Sequence, residues 1–112
     1  MRTTQKVPKS VRCMLKYDLK HYPDYLEELK RTEDISSPRY NHIKVATDGI
    51  TKVYKTLPAK TAKLITAAYV SDKVSVEAAA DILGITKTDA YTMIAGAMIS
   101  FATELGYIKP KE

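Results

Sequence analysis

The sequence contains no tryptophan, one phenylalanine, one cysteine, four glycines and five prolines in 112 residues. Each scarcity excludes something. A single cysteine, Cys13, cannot form an internal disulfide; beside Met14 and Leu15 it reads as a small core residue rather than a reactive thiol. Neither His21 nor His42 has a second His or Cys at metal-ligand spacing, so both read as surface or partly buried side chains. There is no Walker loop, GxSxG, HExxH or cysteine-based metal pattern, and the chain reads as a non-enzyme that needs no cofactor or metal. No apolar stretch approaches the roughly 18 residues needed to span a bilayer. The basic start, MRTTQKVPKSVR, is not followed by an apolar run, so no signal peptide and no membrane partner are expected, and a cytoplasmic protein of a bacterial cell is the simplest expectation. Few breakers and no alternating β-branched run predict an all-α fold, a small helical bundle.

What is present is charge and tyrosine. The formal net charge is +5, with 18 Lys and Arg against 13 acids. The excess is uneven. Residues 1–31 hold eight basic residues against four acids, whereas residues 58–112 hold six of each. A basic balance suits a nucleic acid or another anionic surface. Tyr17, Tyr22, Tyr25 and Tyr40 lie in or beside the basic part, where they could stack on bases, although amphipathic packing with the hydroxyl at the surface is the more ordinary use. The Asp24, Glu27, Glu28 cluster reads as a solvated helix face.

Along the chain, residues 1–9 read as a flexible basic arm and 10–35 as an N-terminal helical segment. Ser10 is placed to cap a helix from Val11, with Val11, Leu15, Leu19 and Tyr22 on one stripe. Pro23 is expected to interrupt or restart this helix, and Tyr25, Leu26 and Leu29 continue its apolar face. Residues 36–40, with Ser36-Ser37-Pro38, form a linker, and 109–112 a tail. Residues 41–108 form the remaining domain. Its first helix, from about Asn41 to Leu57, buries Ile43, Ala46, Ile50, Val53 and Leu57 and is weakened by Gly49. Its second, about Ala59 to Val70, places Ala62, Ile65 and Tyr69 on one face.

Residues 75–105 carry the functional signal. Ser75 caps a short helix, Val76–Leu83. Gly84 stands where a left-handed residue is needed, and Thr86 caps a second helix from Lys87, with Asp89 completing a capping-box pattern. Ala80 supplies the small residue that a close helix crossing requires. Ala79, Leu83, Ile85, Ala90 and Met93 form the interior. This is the plan of a helix-turn-helix, whose second helix presents its N-terminal side chains to the DNA major groove. The outward set is Thr86, Lys87, Thr88, Tyr91, Thr92 and Ala95. It lacks Arg, Asn and Gln, the residues that make the most specific base contacts. Arg2, Lys6, Lys9 and Arg12 are expected to add phosphate contacts. Ala90, Ile94, Ala97, Met98, Phe101 and Leu105 form a stripe suited to a core or a dimer seam, and Ala95 and Gly96 beside it would allow close helix approach.

The run from Val53 to Ile108 resembles the C-terminal half of phage late-gene transcriptional activators of the RinA/ArpU type. The matching features are Val53-Tyr54, Leu57-Pro58, Lys63-Leu64-Ile65, Tyr69, Ala79-Ala80, Leu83-Gly84-Ile85, Phe101-Ala102 and Leu105-Gly106-Tyr107-Ile108. Lys16–Arg31 and Ser36-Ser37-Pro38 are similar to that family's N-terminal helix and linker. The resemblance implies a sigma-factor region 4-like helix-turn-helix with double-stranded DNA as partner; a homo-oligomer, with a dimer favoured, is expected because one such unit alone gives little affinity, and RNA polymerase is a further candidate partner. A small terminase-like DNA-packaging subunit and a protein-interaction module that contacts RNA polymerase are the alternatives. Family members carry an Arg- and aromatic-rich recognition helix, where this chain has Lys87-Thr88-Asp89-Ala90-Tyr91-Thr92.

Overall fold

The computed structural model describes residues 7–108. They form helices α1 (Lys9–Arg31), α2 (Pro38–Thr56), α3 (Ala59–Ile65), α4 (Val76–Leu83) and α5 (Lys87–Glu104), and α3 continues into a π-helical turn, Thr66–Val70. The described residues contain no strand, so the fold is all-α. No helix among them is long and apolar enough to cross a membrane.

The first helix starts earlier than its sequence suggests. Pro8 occupies the N-cap position in extended geometry, and its carbonyl accepts from the Arg12 amide at 2.9 Å. Ser10 is therefore the second helical residue rather than the cap, and the expected arm loses its last residue to α1; residues 1–6, with Arg2 and Lys6, lie outside the described residues. Pro23 does not interrupt α1. The helix is held on both sides of it: Leu15 and Leu19 sit in the main core, and Tyr25 sits with Ile43 and Ala46 in a second cluster. Burial on both sides offsets the amide donor that proline lacks. Cys13 is exposed and Met14 is 45% exposed, contrary to the core role expected of Cys13. At 100° per residue, position 13 points away from the Leu15–Leu19 face. Leu26 is also exposed, on the rim of a shallow apolar groove with Tyr22, Pro23 and Tyr54.

α2 begins at Pro38, three residues before the expected start. Ser37 caps it by accepting from the Tyr40 amide at 3.0 Å, and proline suits the first turn because its missing amide would be unpaired there. Arg39, in that turn, makes a two-pronged bond to Glu28 on α1, at 2.6 and 2.9 Å. Ile43, Ala46, Ile50 and Val53 are buried as the spacing requires, and Leu57 is half-buried.

α3 runs into the π turn at its C-terminal end. Ser71 donates to the Thr66 carbonyl at 2.8 Å, closing one residue wider than an α-turn. The buried series is Thr61, Leu64, Ile65 and Ala68, not the expected Ala62, Ile65 and Tyr69; Ala62 and Tyr69 are half-buried. Thr66 anchors the irregularity: its hydroxyl donates back to the Ala62 carbonyl at 2.8 Å and meets Tyr54 Oη at 3.2 Å.

One core joins the N-terminal helix to the rest. Leu15 and Leu19 of α1 pack with Ile50 and Val53 of α2, Leu64 and Ile65 of α3, Ala79 and Ala80 of α4, and Ala90, Ile94, Met98 and Phe101 of α5. The stripe expected on α5 is thus core. The chain end beyond α5 is tied back to α1. Gly106 adopts a left-handed conformation (φ 79), with Tyr107 N donating to the Ala102 carbonyl at 2.8 Å. That turn returns Tyr107 to Asp18, a 4% exposed carboxylate on α1, which accepts from Tyr107 Oη at 2.6 Å and Tyr25 Oη at 3.3 Å. Burial, and then the Asp18 carboxylate, push the Tyr25 phenol up to about 12 and the Tyr107 phenol above its ordinary value.

Candidate nucleic-acid interface

The expected surface is built from α4, a three-residue turn and α5. Ser75 accepts from the Ala78 amide at 3.1 Å and caps α4. Gly84 is left-handed (φ 72); its amide donates to the Asp81 carbonyl at 3.1 Å and that of Ile85 to the Ala80 carbonyl at 3.0 Å. These two bonds are the paired C-terminal closure that a left-handed glycine permits. Thr86 then accepts from the Asp89 amide at 3.0 Å and starts α5. The helices meet through alanines: Ala79 and Ala80 are 1% exposed and Ala90 is 0% exposed. A small residue at the crossing lets the two backbones approach, so the N-terminal half of α5 buries Ala90 and Ile94 and leaves its opposite face exposed.

Thr86, Lys87, Thr88, Tyr91, Thr92 and Ala95 are all exposed, as the helical spacing requires. Of the expected phosphate contacts, Lys9 and Arg12 lie in the first turns of α1 and are exposed. The structure brings Arg12 beside this set. A groove of about 480 Å³ runs between the start of α1 and the outer face of α5, and Arg12, Lys16, Tyr69, Tyr91, Ala95 and Ile99 line it. Lys16 Nζ lies 5.9 Å from the centre of the Tyr69 ring. Burial pushes the Tyr69 phenol up, and nearby Arg12 opposes that rise.

Lys16 and Tyr69 are not among the DNA-binding residues expected from sequence. Lys16 has a readable signal: Lys9, Arg12, Lys16 and Lys20 recur at helical spacing and form one basic stripe on α1. Lys20 ends it by pairing with Asp72 at 3.5 Å. Tyr69 has none, because its direction is set by the π turn.

Carboxylates of α4 and α5 lie close to the same residues. Tyr91 Oη donates to Glu77 Oε2 in the first turn of α4. This bond holds the Glu77 carboxyl below its usual range and raises the Tyr91 phenol. Asp81 and Asp89 are exposed on the same pair of helices, and Ile82 is 74% exposed. Arg12 and Lys16 of α1 and Glu77 of α4 thus meet at Tyr69 and Tyr91.

The other candidates are accounted for locally. Glu28 is bound by Arg39, Glu27 lies 3.9 Å from Lys30, and Asp24 lies 3.6 Å from His21. No group of three potential metal ligands occurs among the described residues. Tyr22 bonds Thr51 and Tyr25 bonds Asp18, so these two phenols are structural, while Tyr17 is 60% exposed beside His21. Gly96 and Ala95 are exposed, and a side chain added at Gly96 would meet open space.

No protein-family model, curated protein or solved structure matches this chain.

Proposed function

We infer that this protein binds double-stranded DNA, with the N-terminal half of α5 in the major groove as the second helix of a helix-turn-helix, and that it acts as a transcriptional regulator of the phage late-gene activator type. The observation that carries the reading is the groove joining Arg12 and Lys16 to Tyr91 and Ala95. A helix that reads bases needs cations beside it to hold the phosphates that border the groove. α5 has one such cation in its first turns, Lys87, and α1 supplies the others from a distant part of the sequence. A two-fold arrangement fits, since a single unit of this kind makes few base contacts.

A second reading has a specific observation in its favour. Ile82 and Tyr91 are exposed apolar side chains amid Glu77, Asp81 and Asp89. Such a face suits a protein partner with basic residues, such as a surface of RNA polymerase.

Fluorescence anisotropy of labelled duplex across a salt series tests the reading. Duplex affinity is expected to fall with a log–log salt slope of about −0.9 per phosphate neutralised. Arg12→Ala with Lys16→Ala should weaken all sequences alike and make the slope shallower by about 0.9 for each phosphate left without its cation, and the same holds for replacement of Arg2, Lys6 and Lys9. Lys87→Ala with Thr88→Ala should relax sequence preference instead. Absence of duplex binding at low salt removes the DNA reading and leaves the protein-partner one.

A further inference from the structure

From residue 43 to the end the chain has no Arg, Asn, Gln or His. The planar side chains that grip guanine or adenine by two hydrogen bonds are therefore absent from α4, the turn and α5 altogether. Of the hydrogen-bonding groups that remain on this face, Lys87 is one flexible ammonium at the start of α5, the Thr88 and Thr92 hydroxyls are single groups, and the others are engaged or acidic. Tyr91 commits its hydroxyl proton to Glu77 and presents its ring outward, 49% exposed. The Thr86 hydroxyl caps α5. The exposed carboxylates of Asp81 and Asp89 repel the acceptor atoms that guanine offers in the major groove. What the face offers in quantity is small apolar groups: the methyls of Thr88, Thr92 and Ala95, with the Tyr91 ring beside them, all exposed on consecutive turns of α5.

Only one base carries an apolar group into the major groove, and that group is the 5-methyl of thymine. The flanking cations, Arg12 and Lys16, match the phosphates of a duplex seated on this face. We propose that Thr88, Thr92 and Ala95 read duplex DNA through thymine 5-methyl groups, so that the preferred sites are defined by the placement of thymines and not by guanine contacts. The proposal rests on the duplex-binding reading above. Burial of methyl against methyl supplies the discrimination.

The experiment begins with selection of bound duplexes from a random-sequence pool. The enriched duplex is then resynthesised with deoxyuridine at single thymine positions, which removes the methyl and leaves base pairing unchanged. At contacted positions affinity is expected to fall about three- to fivefold per methyl removed, with the salt slope unchanged, since every phosphate keeps its cation. Replacement outside the enriched positions should have no effect. The double variant T88S and T92S keeps both hydroxyls and removes both methyls; it should bind duplex while no longer distinguishing thymine from uracil at the positions those two residues contact, with discrimination kept only at a thymine facing Ala95. Equal affinity for the thymine and uracil duplexes, or enrichment of guanine-defined sites, overturns methyl readout and leaves duplex binding standing. No duplex binding at low salt overturns both readings together.

Discussion

Gly49 lies in the middle of α2, and the space beside its α-carbon is filled by Leu105. A methyl group there would collide with the Leu105 side chain. Two effects of opposite sign therefore meet at one position. Alanine favours a helix over glycine by about 1 kcal/mol, and overpacking a filled site costs about 1–3 kcal/mol. Gly49→Ala alone is expected to destabilise slightly or leave stability unchanged. In a Leu105→Ala background the same change is expected to stabilise by about 1 kcal/mol, because only the helix effect is left. A double-mutant cycle by urea denaturation checks this, and additive effects of the two changes would contradict it. Helical periodicity marks Gly49 as a weak point of α2 but gives no sign that the glycine is used, since its neighbour stands at the other end of the domain. Cys13 teaches the same lesson in reverse: its chemistry suits a core, and its angular position on α1 puts it outside.

Elements whose limits are set by adjacent residues are readable, and those set by distant ones are not. Ser75, Gly84 and Thr86 make their capping bonds within three residues or within one turn, so the limits of α4 and the start of α5 follow from sequence alone. The π turn at Thr66–Val70 is invisible there, because Thr66 is held by Tyr54 of another helix. That turn carries Tyr69, which lines the groove with Arg12, Lys16 and Tyr91. The exposure of the face on α5 is legible; the company it keeps is not. Pro23 is the same kind of case. Local rules predict a break, and the helix is continuous because its two halves are seated in two clusters. Pro23→Ala should restore the missing amide donor and stabilise by an amount on the order of 1–3 kcal/mol, which for a domain of this size raises the melting temperature by several degrees. A lower melting temperature would mean that the proline shapes α1 to fit α2.

At the scale of the molecule, the buried Asp18 of α1 gathers Tyr25 of the same helix and Tyr107 of the turn after α5. Both phenols are held protonated by burial and by that carboxylate. In the unfolded chain phenols ionise near pH 10, whereas Tyr25 ionises near 12 in the folded protein. Between these values the folded state binds more protons than the unfolded one, so stability falls as pH rises. The contribution is complete below pH 10 and is lost as pH passes through the folded value. Urea midpoints measured below pH 10 and again between pH 10 and 12 should therefore decline, and Tyr25→Phe with Tyr107→Phe should flatten that decline. An unchanged slope in the double variant would assign the effect to other groups. The bond between Asp18 and Tyr107 also spans 89 residues of sequence. A ribosome delivers α1 before α5, so the helix receives the second phenol on its carboxylate and its seat against Phe101 only after residue 107 has been made. Until that turn arrives part of the leucine face of α1 lacks its cover, the kind of surface that chaperones shield.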